Sequence, residues 1–231
     1  MTRDLFPSAL RARLKPAGPP VPHPGVFPTA PMPTTVDEAI AQFTQACEAV
    51  GGRVSRVTTA AAAADVVLGY LEAPEWQAGD RTGPAPFVCW DAAHVVLPEV
   101  AALVHSRGAE CLDVFVHPDQ ATRDLDYRRL DTAVVGVTGA HAALADTGSV
   151  VLVHGEGRAR LVSLLPPVHV ALVPIDRLHA TLGSLVAAEP ALLCASTNVV
   201  VVTGPSRTAD IEMTLTRGVH GPRIVHVVFV G

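Results

Sequence analysis

Short runs of valine, isoleucine and other apolar residues recur along this chain at Val134–Val137, Ser149–His154, Val168–Val173, Val199–Val202 and Ile224–Val230. They are too short for buried helices, and β-branched residues pack well on a pleated surface, so each reads as a strand. Val199-Val-Val-Val202 carries no polar residue and reads as a buried parallel strand. Shorter strands are expected at Arg53–Val57, Phe87–Trp90 and Cys111–Val116. Helical patterns alternate with them. Thr34 or Thr35 can cap a helix to about Val50, with Ala39, Ile40, Phe43, Ala46, Cys47 and Val50 on one face and Gly51-Gly52 at its end. Further helices are predicted over 59–71, Pro98–His105 and Asp176–Ala188. The alternation predicts an α/β fold on a three-layer, open, mostly parallel sheet. Ligands of such sheets lie at the carboxyl ends of the strands.

The 231 residues, 49% apolar and 17% charged, suffice for a substantial core. Residues 1–35 form a separate regime, because Pro7, Pro16, Pro19, Pro20, Pro22, Pro24, Pro28, Pro31 and Pro33 prevent regular helix or sheet. This extension is expected to drape over its own domain, residues 36–231, or over a neighbouring subunit of a homo-oligomer. A net charge of −5 argues against nucleic acid as a partner. No apolar run reaches the length of a membrane span and the start has no signal-peptide pattern, so the expected location is cytoplasmic. Cys47, Cys89, Cys111 and Cys194 are scattered, which disfavours an iron–sulfur cluster held by this chain. Lys15 is the sole lysine, which excludes a P-loop and disfavours Schiff-base chemistry.

Thr203-Gly-Pro-Ser-Arg-Thr-Ala-Asp210 follows the Val199–Val202 strand. Gly204 and Pro205 stop the strand, and a helix is expected from about Ala209. Backbone N–H groups at such a helix start, with Ser206, Arg207, Thr208 and Asp210 beside them, suit a small anion. Equally, Ser206 or Thr208 caps the helix and Asp210 complements its dipole. Asp146-Thr147-Gly148-Ser149 is a second glycine turn. Either it binds the substrate or anion through Thr147, Gly148 and Ser149 with Asp146 as a candidate general base, or it is a tight turn in which Asp146 and Thr147 bond their own backbone. The two loops are expected to face one crevice.

The ten histidines show no metal-ligand spacing. His220, framed by Gly218, Gly221 and Pro222, is kept as a candidate acid–base or anion donor. Glu156, between Gly155 and Gly157, is either a carboxylate nucleophile or a solvated turn tip, and Arg158 and Arg160 either orient a carboxylate or are surface charges.

Ala145-Asp-Thr-Gly-Ser149, Leu165-Pro-Pro-Val-His169, Thr203-Gly-Pro-Ser-Arg-Thr-Ala-Asp-Ile-Glu212 and Gly218-Val-His-Gly-Pro222 together resemble the LUD domain of the lactate-utilization protein C family. The resemblance implies a fold similar to sugar-phosphate isomerases and CoA transferases. It also implies a subunit that supports oxidation of L-lactate to pyruvate, with iron–sulfur proteins as partners carrying the clusters and no cofactor bound by this chain. A small carboxylate such as lactate or pyruvate is then the expected ligand. Other readings are a stand-alone carboxylate or acyl-CoA enzyme on a CoA-transferase-like scaffold, using Glu156 or Asp146, and a non-catalytic assembly module.

Overall fold

A computed structural model describes residues 33, 35–76, 83–194, 196, 198–209, 215–217 and 220–231. The expected course of the proline-rich extension lies outside the described residues. Thr35 opens helix α1 (Val36–Ala49) with a capping box, its hydroxyl accepting from Glu38 N while the Glu38 carboxylate accepts from Thr35 N. Strand β1 (Arg53–Val57) and helix α2 (Ala60–Leu71) follow, then β2 (Phe87–Cys89), α3 (Val100–Ser106) and α4 (Gln120–Leu130). The second half comprises β3 (Val135–Gly139), β4 (Ala142–Leu144), β5 (Ser149–Val153), the single turn α5 (Leu161–Leu164) and β6 (Val168–Pro174). After them come β7 (Leu178–His179), α6 (Leu182–Ala188), β8 (Val199–Val202), β9 (Arg207–Ala209), β10 (Leu215–Arg217) and β11 (Ile224–Val230).

Five strands form a sheet in the order β1-β11-β6-β3-β2, parallel at every pairing. Side chains alternate across a strand, so β11 shows what covers each face. Phe229 meets Phe43 of α1 edge-on at 5.0 Å, whereas His226 points the other way and meets Tyr70 of α2. Helices therefore cover both faces, giving the expected three layers. A second sheet, β7-β4-β5-β8, has its own small core of Ala142, Leu144, Val151, Val153, Leu185 and Leu192. Among the described residues no helix is long and apolar enough to cross a membrane.

Four expectations are corrected. Val199–Val202 is neither parallel nor buried: it lies antiparallel to β5 at the edge of the second sheet, and Val201 keeps 41% of its surface exposed. β-Branched residues suit any pleated surface and do not encode strand direction. Cys111–Val116 is not a strand. Only Cys111 bridges to Phe87, and the Asp113 carboxylate then accepts from Phe115 N, a local turn that competes with the ladder. The helix over Asp176–Ala188 starts late, because Thr181 and Ser184 form the capping box and the preceding residues make a 3₁₀ turn and β7. Finally, no helix begins at Ala209, since Arg207–Ala209 pairs antiparallel with Leu215–Arg217.

At Gly136 of β3 the helical layer packs directly on the sheet. A Cβ there would lie 1.8 Å from the carbonyl oxygen of Val162 in α5. Gly136→Ala should cost about 1–3 kcal/mol through forced separation of α5 from the sheet, measured by urea unfolding. The sheet also holds two histidines in neutral form, His169 buried and His226 half-buried. His226 Nδ1 is 3.0 Å from the Tyr70 hydroxyl and Nε2 is 3.0 Å from Ser55 Oγ. Burial, then Arg53, pushes its pKa down to about 4, and burial, then His154, does the same to His169. The unfolded chain takes up these protons near pH 6.5, whereas the native state resists until about 4. Their stabilisation is therefore full above the unfolded value and lost as pH falls through this window. The urea midpoint should drop as pH is lowered across it, and less steeply in His226→Gln.

Candidate functional site

Strands β2, β3 and β6 run parallel, and a cavity of about 460 Å³ opens where they end. Its walls include Trp90 just beyond β2, Gly139 and His141 at the end of β3, and Pro174 at the end of β6. His94 and Arg177 enter from 3₁₀ turns and Arg158 from a loop. Trp90 is fixed by donating from Nε1 to Ala159 O at 3.0 Å and by an edge-on contact with His154. His154 is itself buried, and that burial pushes its pKa down.

The charges in this cavity differ in how well they are satisfied. Arg177, from the 3₁₀ turn after β6, donates from Nε to His141 O at 2.8 Å and from Nη2 to Glu189 Oε1 at 2.7 Å. Glu189 places its other oxygen 2.7 Å from His141 Nε2. Its carboxyl is held below the ordinary range, first by the His141 hydrogen bond and also by Arg177, with burial opposing. Arg158 contrasts with this network: its Nε is sealed without a partner, and its Nη groups, which are not sealed, make no hydrogen bond among the described residues. A buried donor left unpaired costs free energy, and a guanidinium fork matches a carboxylate or phosphate. The cavity can thus take a small anion against Arg158.

The sequence-predicted residues sit mostly elsewhere. Thr147 donates to Asp146 Oδ1 at 3.2 Å, Ser149 donates to Thr147 Oγ1 at 2.8 Å, and Ser149 Oγ lies 2.7 Å from Thr203 Oγ1. These four residues form one hydroxyl chain ending in an exposed carboxylate. Gly148 has φ +62° and lies so close to α1 that a Cβ would come within 2.2 Å of Cys47 N, so only glycine fits the turn. Past Gly204, Ser206 N donates to Pro222 O at 2.9 Å, and Arg207 Nη2 donates to Val50 O at the C-cap of α1. The two loops do adjoin, but they close on the end of α1, and the helix N-terminus invoked for the anion is replaced by β9. The side chain of Thr208 and all of Asp210 lie outside the described residues. His220 is exposed and faces a different cavity, of about 410 Å³, with Asp131 and Arg223. Glu156 is exposed at its turn tip, yet that turn adjoins the carboxyl-end site, since Gly157 O accepts from Asp91 N at 2.9 Å. Among the described residues no group of three or more His, Cys, Asp or Glu is placed to hold a metal. Burial pushes the Cys47 thiol up to about 11 and raises Cys89 and Cys111 as well.

The sequence profile of the LUD domain matches residues 40–230. The chain belongs to the LUD domain family. Over 115 residues this LUD domain is 38% identical to lactate utilization protein C of an Exiguobacterium species, covering 48% of each chain. Over 149 residues it is 34% identical to lactate utilization protein C of a Geobacillus species, covering 62% of this chain and 61% of that one. It spans about half the length of the first of these relatives. A crystal structure of a DUF162 family protein from Deinococcus radiodurans aligns with a TM-score of 0.56 at 22% identity, covering 86% of this chain and 100% of that chain. That likeness is one of fold.

In this LUD domain the sequence reading passed over His94, His141, Glu189 and Arg177 as site residues. His141 did have a local signal, because it stands two residues past Gly139, at the carboxyl end of an apolar strand. Ending that strand at Val137 hid it. His94, Arg177 and Glu189 reach the cavity region from three separate segments, and no spacing in the sequence links them.

Proposed function

We propose that this LUD domain serves lactate utilization in the cytoplasm by binding a small carboxylate, lactate or pyruvate, at the carboxyl ends of β2, β3 and β6. Electron transfer in this reading belongs to iron–sulfur partner proteins. The observation that carries it is Arg158, which lines a cavity of suitable size and whose unsealed Nη groups have no hydrogen-bond partner among the described residues. The fold supports it, because open parallel sheets bind ligands at this edge. The relatives support it by name, being called lactate utilization protein C.

Arg158→Gln should weaken lactate or pyruvate binding at least about tenfold, the loss expected for one charge-assisted pair, with an unchanged melting temperature. Calorimetric titration checks this, and equal affinity in both proteins would remove the site. The division of labour has its own test. Lactate-dependent reduction of an artificial acceptor should require the iron–sulfur partners and be absent with this chain alone. Turnover by the isolated chain would instead favour an enzyme on a CoA-transferase-like scaffold, with Glu156 on its adjoining turn as the first residue to replace.

A further inference from the structure

His141 has one nitrogen committed and one available. Its Nε2 lies 2.7 Å from Glu189 Oε2. Arg177 Nη2, which only donates, is also 3.0 Å from Nε2, but it donates to Glu189 Oε1 at 2.7 Å. The carboxylate, which only accepts, is the nearer partner of Nε2 and places the hydrogen there. Arg177 fixes both partners at once by donating to the His141 carbonyl and to Glu189 Oε1. His141 lines the cavity, and its side chain keeps 29% of its surface exposed. Its Nδ1 makes no hydrogen bond among the described residues and is not one of the sealed, unpaired atoms. With Nε2 carrying the hydrogen, Nδ1 of the neutral ring is an acceptor.

We propose that His141 Nδ1 accepts a hydrogen bond from the 2-hydroxyl of a short 2-hydroxycarboxylate whose carboxylate is held by Arg158. This rests on the carboxylate reading given above. His141 is then the residue that sets specificity, and Glu189 is a positioning residue that acts through it by fixing the tautomer. An unsubstituted acid leaves Nδ1 unpaired. A 2-oxo acid sets acceptor against acceptor. A site built to bond a substrate hydroxyl discriminates against analogues lacking it far better than an apolar pocket discriminates by shape. The same three side chains would also serve as a simple tie between the β3–β4 passage and α6, so the test needs a readout that a tie would not move.

Glu189→Gln supplies it. Arg177 donates to one oxygen of this side chain, which pins the glutamine amide with its oxygen toward Arg177 and its NH₂ toward His141. Nε2 then becomes the acceptor, the hydrogen moves to Nδ1, and the cavity should favour an oxo group over a hydroxyl. Titration calorimetry with L-lactate, pyruvate and propionate, at about pH 8.5 where an ordinary imidazole is neutral, reads the outcome. The original protein should bind lactate about tenfold tighter than pyruvate or propionate. In Glu189→Gln the lactate-to-pyruvate ratio should shift toward pyruvate by about tenfold or more, with propionate unchanged and the fold intact by circular dichroism. If all three acids bind equally and Arg158→Gln weakens them all, the carboxylate site stands and the role of His141 is overturned. A lactate preference untouched by Glu189→Gln would also overturn it. If none of the acids binds, both proposals fall together.

Discussion

At Gly139 the third strand leaves the parallel sheet, and at Ala142 the same chain begins pairing in the mixed one. The rest of the molecule is arranged around this passage. Ala140 N still donates to Leu172 O of β6, while His141 N already donates to Val151 O of β5, so neighbouring residues belong to different ladders. The carboxyl-end cavity lies at this passage, lined by Gly139, Ala140 and His141.

What makes that cavity chemically specific is an imbalance among its charges. Arg177, Glu189 and His141 satisfy one another, which holds α6 to the passage and gives the imidazole a fixed orientation. Arg158 sits in the same cavity with a donor unsatisfied. A paired network and an unpaired cation mean different things physically: the first resists movement, and the second is improved by a ligand. The motifs that identify the family behave differently again. Gly148 and Arg207 both press on the end of α1, and Ser149 joins Thr203, so much of what is recognisable in the sequence here fastens loops to a helix terminus.

Legibility followed the range of the interactions. Helix α1 was readable to its cap because Thr35 and Glu38 are three residues apart and bond each other. Strands β3, β5, β6 and β11 were readable because burial on a sheet demands apolar, β-branched residues. Helix α4 gave no signal, since its residues are largely polar and only Leu130 is fully buried. Cys111–Val116 looked like a strand and is not one, because Asp113 bonds the nearby backbone where the ladder should continue.

The sequence by itself determined the α/β class, the alternation of strands with helices, the family, and the exclusion of P-loop chemistry by a chain with one lysine. The family rests on the resemblance of its motifs, and the other properties on local spacing and composition. Strand direction in the second sheet, the replacement of an expected helix by the β9–β10 ladder, and the meeting of Arg158 with His141, Arg177 and His94 in one cavity were decided only by the tertiary structure. Each depends on which distant segments pack together, and a guanidinium beside an apolar strand reads the same in sequence whether solvent or a cavity receives it.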